Sequence, residues 1–342
     1  MESSIADHLV LDRTRPTRKG ADFQPAYPSF SARFDSSITE VVMAYYGVQF
    51  RGDLPAVAAD AIAELHAAAA AKDGPAYRDQ ARYTDEAGYD TVVNIFYWTD
   101  AETHGRWLGD APDWSAVERY SPDAGFFTEI IAPTVNRFET LFSNDRVEGV
   151  SVAAVDGLSG EIREHTYWGG ARDRLPLAQV DPLEPRGHPE PHADGNLVRV
   201  TGQDNLCLIR SGQEWTETAG DERRMYLEDV EPALRAGMAF LRDDGLSIGC
   251  IANRYMQVVD DSGHLQEKTF GMSWWRSLQA LETWAESHPT HLAIFRAAMK
   301  YLSTMGPAAN LRLYHEVSVV KANQQHFCYL GCHDRTGLLR AR

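Results

Sequence analysis

Three side chains occupy positions where their type and spacing would allow chemistry. His291 ends the run Glu286-Ser287-His288-Pro289-Thr290-His291, where one helix stops and another begins. Proline is accommodated in a first helical turn, with Ser287 or His288 as the cap. His291 then lies near the positive end of the helix dipole, which disfavours imidazolium and leaves a lone pair for a metal. At helical spacing it shares a face with Phe295, Ala298 and Leu302, an apolar wall suited to a flat cofactor. The same pattern also describes a capped helix with a core histidine. His315 stands in Leu311-Arg312-Leu313-Tyr314-His315-Glu316-Val317-Ser318-Val319, where alternation places it on one face with Leu311, Leu313, Val317 and Val319. A histidine there either has a hidden partner or acts as an acid/base. Ser211 ends a predicted strand and shares a face with Cys207 and Ile209. A hydroxyl at that point suits a turn, and no Gly-x-Ser-x-Gly elbow marks it as a hydrolase nucleophile.

Other chemistries lack their usual signals. The chain has no Walker loop, no Gly-x-Gly-x-x-Gly and no His-Glu-x-x-His. Cys328 and Cys332 could form half of a zinc site, but no second pair completes it.

The elements that must position these residues form a repeated order. Residues 1–36 read as an irregular arm. A strand over 41–50, an alanine-rich helix over 54–71, a strand over 91–98 and a short helix over 100–108 follow. A helix-like segment around 126–131 and a closing strand over 137–142 complete a first half spanning 37–148. The second half, 197–342, opens with a strand at 206–209 and a long helix over 221–242. It continues with a hairpin of strands 247–259 and 268–275, helices over 277–286 and 289–303, and a last strand over 311–320. Tyr97-Trp98 is followed by Trp107, and Trp274-Trp275 by Trp284; each time a strand ends in an aromatic pair and a helical Trp follows nine residues on. The predicted fold is α+β, with two ferredoxin-like halves whose antiparallel sheets pack together or close into a barrel, flanked by helices. The joining segment, 149–196, is long enough to be functional, and its Glu164-His165-Thr166-Tyr167-Trp168-Gly169 argues against plain disorder.

With 342 residues, 44% hydrophobic and 24% charged, the chain has the composition of a globular protein with a substantial core. Its net charge of -16 opposes binding to nucleic acid or anionic membranes. The first twenty residues do not resemble a signal peptide, and no run reaches the roughly 18–20 apolar residues of a membrane span. Four scattered cysteines suit a reducing compartment, so a cytoplasmic protein is expected.

These segments, taken in order, resemble the haem-containing aldoxime dehydratases, including the phenylacetaldoxime dehydratases, from about residue 38 to 340. The likeness rests on Val48-Gln49-Phe50-Arg51-Gly52, Phe138-Glu139-Thr140-Leu141, Glu164-His165-Thr166-Tyr167-Trp168-Gly169 and Arg172-Asp173-Arg174-Leu175-Pro176. It continues through residues 205–215, His288-Pro289-Thr290-His291 and residues 313–319. The resemblance implies a lyase that dehydrates aldoximes to nitriles on haem b, ferrous in its working state, with the oxime bound to iron through nitrogen. It further implies His291 as the proximal ligand and His315 as the distal acid/base. Ser211 would bond the oxime hydroxyl, Arg174 would complete the distal polar set, and Glu139 would sit behind His315 and favour its charged form. A homodimer is implied as well. The chain departs from the family at Cys332-His333-Asp334-Arg335-Thr336-Gly337 and is longer around Gly306-Pro307-Ala308. A peroxidase or chlorite-dismutase-like enzyme and a non-catalytic haem-binding protein are the competing classes.

Overall fold

The computed structural model describes residues 1–154 and 156–341; Val155 and Arg342, which fall in the expected joining segment and second half, lie outside the described residues. The first part of the chain runs β1 (Val42–Phe50), α1 (Ala56–Ala69), β2 (Tyr77–Thr84), β3 (Asp90–Trp98), α2 (Ala101–Asp110), β4 (Ala124–Ile131) and β5 (Phe138–Phe142). Two short helices, α3 (Val150–Ala153) and α4 (Gly170–Arg174), and the strands β6 (Glu190–Asp194) and β7 (Leu197–Thr201) lie in and just beyond the joining segment. Then follow β8 (Leu206–Glu214), α5 (Gly220–Met225), a π-turn (Tyr226–Val230), α6 (Glu231–Asp243), β9 (Cys250–Val259) and β10 (Leu265–Trp275). The chain ends with α7 (Leu278–Ser287), α8 (Pro289–Met305), β11 (Arg312–Val320) and β12 (Gln325–Leu330).

All twelve strands form one antiparallel sheet in the order β5-β11-β8-β10-β9-β2-β3-β1-β4-β12-β7-β6. It is open, with β5 and β6 at its ends, which corrects the barrel alternative. Two quartets, β11-β8-β10-β9 and β2-β3-β1-β4, meet through a short pairing of β2 with β9. The outer edge of each quartet is covered by a strand from the other part of the chain: β5 pairs with β11, and β12 pairs with β4. Residues 138–142 therefore do not close the first half as expected.

β4 corrects the helix-like reading of 126–131. All eight of its residues are buried, so the sequence shows no alternation, as in any strand covered on both faces. β2 was not foreseen. Asp100 caps α2, its carboxylate accepting from the Glu102 and Thr103 amides.

The inner faces of the quartets share one core, in which Tyr45, Tyr97 and Phe127 of the first meet Leu208, Phe270 and Tyr314 of the second. On the outer faces, α1 and α2 cover the first quartet around Tyr46, Trp98 and Trp107, and α6 and α7 cover the second around Cys207, Trp275 and Trp284. Gly47 and Gly212 occupy matching places in β1 and β8. A Cβ at Gly47 would lie 1.9 Å from the ring of Phe127, its partner on β4, and one at Gly212 would lie 2.0 Å from the ring of Tyr314, its partner on β11. Among the described residues no helix is long and apolar enough to cross a membrane.

Filling such a space forces the ring or backbone to move. Gly47→Ala should therefore destabilise by about 1–3 kcal/mol. Gly105→Ala, within α2 and facing open space, should stabilise by roughly 0.5–1 kcal/mol. Denaturant unfolding of both variants checks the opposite signs; equal effects would contradict the packing argument.

Candidate active site

The junction between α7 and α8 is fixed by a small polar knot. His288 is the cap, settling the choice left open with Ser287: its Nδ1 accepts from the Thr290 amide at 3.4 Å and meets the Thr290 hydroxyl at 2.9 Å. The Trp284 indole donates to that hydroxyl at 3.0 Å. His291 is thereby held in the first turn of α8, between Trp284 (ring centroids 4.6 Å apart) and Trp168 (5.6 Å). Trp168 also covers Phe295 at 4.7 Å. Burial pulls the His291 pKa down to about 4, with the Ala285 carbonyl acting weakly the other way. The ring is therefore neutral near pH 7, and its Nδ1 is buried without a hydrogen bond of ordinary geometry.

Tyr301 is the only buried residue among those of α8. His291, Phe295, Ala298 and Leu302, the face expected from helical spacing, are all half-buried. Leu302 and Leu313 of β11 pack against one apolar cluster, and Ile294 and Ile209 pack against another that contains Val317.

Ser211 and His315 stand side by side on one face of the sheet. They are direct partners in the β8–β11 ladder, and Leu141 of β5 is the partner on the other side of His315. Ser211 lies inside β8 rather than at its end, and the Tyr314 ring covers the Gly212 beside it. His315 is half-buried, whereas Glu139 and Arg174 behind it are 0% and 3% exposed. Arg174 Nε donates to Glu139 Oε2 at 2.7 Å, and its Nη1 donates to the Glu164 carbonyl at 2.6 Å. His315 Nε2 lies 3.1 Å from Glu139 Oε1 and 3.0 Å from Arg174 Nη2. Burial alone would raise the Glu139 pKa, but Arg174 and then His315 outweigh it and hold the carboxyl below its ordinary value.

Of the five side chains singled out from the sequence, Glu139, Arg174, Ser211 and His315 are brought together from β5, α4, β8 and β11, and His291 stands on α8. The donor set fits a haem. Among the described residues no group of three or more His, Cys, Asp or Glu gathers to hold a bare metal ion. A single neutral imidazole with a free ring nitrogen, beside a half-bare apolar helix face, matches an iron whose other ligands come with its macrocycle. Trp168 and Trp284 were given no role in the sequence reading, although the aromatic motif containing Trp168 pointed to it. His165 is similar: buried, held neutral by burial with its pKa near 4, and with neither ring nitrogen in a hydrogen bond of ordinary geometry.

Comparison with known proteins shows the family of the chain. Residues 44–338 match the family described as haem-containing dehydratase. An aliphatic aldoxime dehydratase of Pseudomonas chlororaphis is 42% identical over 99% of this chain and 98% of its own length. One from Rhodococcus globerulus is 41% identical over the same shares. A crystal structure of an aldoxime dehydratase in complex with butyraldoxime superposes with a TM-score of 0.94, at 40% identity, covering 100% of this chain and 96% of that one.

A carboxyl whose pKa is depressed on folding stabilises the folded state above its unfolded value, and that stability is lost as the pH falls through the folded value. For Glu139 the loss begins below the ordinary 4.5. Glu139→Gln should cost about 3–5 kcal/mol at pH 7, because Arg174 is left buried without its counter-charge. The gap between wild type and variant should narrow at pH 3.5. Urea titrations at both pH values test this; a constant gap would show that the charge of Glu139 is not what matters.

Proposed function

The chain belongs to the haem-containing dehydratase family, and from that we propose that it converts aldoximes, R–CH=N–OH, to nitriles and water on a haem b held by His291. The observation that carries this is the Glu139–Arg174–His315 cluster, in register with Ser211; we infer that it faces the neutral imidazole of His291 across an apolar slot between α8 and the outer face of β8 and β11. Breaking the N–O bond makes hydroxide the leaving group, and hydroxide leaves poorly unless it is protonated. When bound, ferrous haem supplies an iron for the oxime nitrogen and electron density for the N–O bond.

The residues supply the rest. His315 as imidazolium gives its proton to the departing hydroxyl, and the neutral ring then takes the carbon-bound proton, so the proton count closes at one water per nitrile. Glu139 Oε1 and Arg174 Nη2 hold Nε2 behind the ring, which leaves Nδ1 to exchange the proton with the oxime. Ser211, opposite His315, orients the hydroxyl so that transfer is short. The apolar face of α8, with Trp168, limits competing water. We further infer that residues 37–148 and 197–342 are two ferredoxin-like halves. Support comes from the identical strand order of the quartets and from the matching glycines, Gly47 and Gly212, under an aromatic ring of the neighbouring strand.

His291→Ala should lose its haem while its far-ultraviolet circular dichroism stays that of a folded protein. Full haem in that variant, with loss in His288→Ala instead, would reassign the ligand.

His315→Asn should keep its haem and still bind butyraldoxime, while turnover per haem falls by about 10²–10⁴-fold, the usual contribution of a positioned acid/base. Haem occupancy, aldoxime affinity and single-turnover rate measured on one preparation decide the matter. Unchanged activity per haem would remove His315 from the chemistry. Peroxide-dependent dye oxidation by the wild type without nitrile formation would select the peroxidase-like class.

A further inference from the structure

Arg174 is the third of three consecutive charged residues in α4, and the other two have no part in the proposed chemistry. Each of the three ties this short turn to a different wall. Arg174 reaches Glu139 and His315. Asp173 Oδ2 accepts from the Arg18 amide of the N-terminal arm and from the Tyr167 hydroxyl, both at 2.9 Å. Arg172 turns toward α7: its Nε lies 3.1 Å from both oxygens of Glu282, and its Nη2 donates to Oε2 at 2.7 Å. Its Nη1 donates to the Pro182 carbonyl at 2.8 Å. The pair is largely buried, with Arg172 17% and Glu282 6% exposed.

α7 passes through the single residue His288 into α8, which carries His291. The Arg172–Glu282 pair therefore links the turn behind the distal histidine to the helix pair bearing the proximal one. We propose that this ion pair is a clamp that sets the width of the slot, making Arg172 and Glu282 positioning residues for both walls. A planar two-pronged guanidinium contact suits the task, because it fixes orientation as well as distance. The inference rests on the haem-binding reading above.

The test follows transfer of haem from the holoenzyme to excess apomyoglobin in the Soret band. Arg172→Gln and Glu282→Gln should release haem about 10-fold faster or more, the scale on which outer partners of a metal ligand act. Arg172→Lys keeps the charge but not the fork, and should fall between them and the wild type. It also keeps the test open if removing either charge prevents folding. Gly47→Ala, destabilised at a distance from the slot, should release haem at the wild-type rate. If Arg172→Gln and Arg172→Lys both lose haem no faster than the wild type, or if Gly47→Ala loses it as fast as they do, the clamp is refuted. A wild type that takes up no haem would overturn the haem-binding reading itself, and the clamp with it.

Discussion

The site depends on one buried carboxylate. Glu139 is fully enclosed, and an isolated charge there would be costly. It remains ionised because Arg174 and His315 converge on it, one through Nε and the other through Nε2. That requirement fixes much else. β5 must pair with β11 to bring Glu139 beside His315, and α4 must lie against β5 so that Arg174 reaches both. The Glu164 carbonyl then takes up another arm of the guanidinium. A half-satisfied version of this network would be worse than an apolar core, so this polar cluster is as constrained as any packed one.

Behind the same two strands lies a second set of charges. Arg210 and Glu316 are partners in the β8–β11 ladder, one step along from Ser211 and His315 and on the opposite face. Arg210 bonds Asp79 at 2.8 Å and lies 4.2 Å from the centre of the Phe270 ring; Glu316 accepts from the Val150 amide and the Tyr97 hydroxyl. The strands that present Ser211 and His315 are thus held from behind by polar contacts with the first quartet and with the start of the joining segment. Tyr46 of β1 occupies the place in the first quartet that Ser211 occupies in the second, counted from the Val42–Trp98 and Cys207–Trp275 pairs, and its partner on β4 is Thr128. There the ring of Tyr46 packs among Phe96, Trp107 and Trp114. The same framework is filled with aromatics in the first quartet and carries the polar pair Ser211 and His315 in the second.

Much of this was legible from local pattern. His291 carries its own helix start, His315 its alternation and the two tryptophan spacings their shared order, so the elements holding them were placed to within a few residues. Glu139 and Arg174 carried no such signal. Their meaning arises from contacts across 35 and 141 residues of chain, and only the family resemblance pointed to them. β4 was misread because burial on both faces erases alternation, and the open sheet was missed because edge coverage is decided by distant strands.

The crossing of β5 and β12 to the opposite quartets has a consequence for inheritance. A gene fragment encoding residues 197–342 alone would carry His291, His315 and Ser211 yet leave the β11 edge bare and lack Glu139 and Arg174. The complementary fragment would leave the edge of β4 exposed. Neither piece could have served as a working ancestor in its present form. If the halves arose from one gene, the edge strands must have been traded after fusion, and since then the two parts can only have been inherited together.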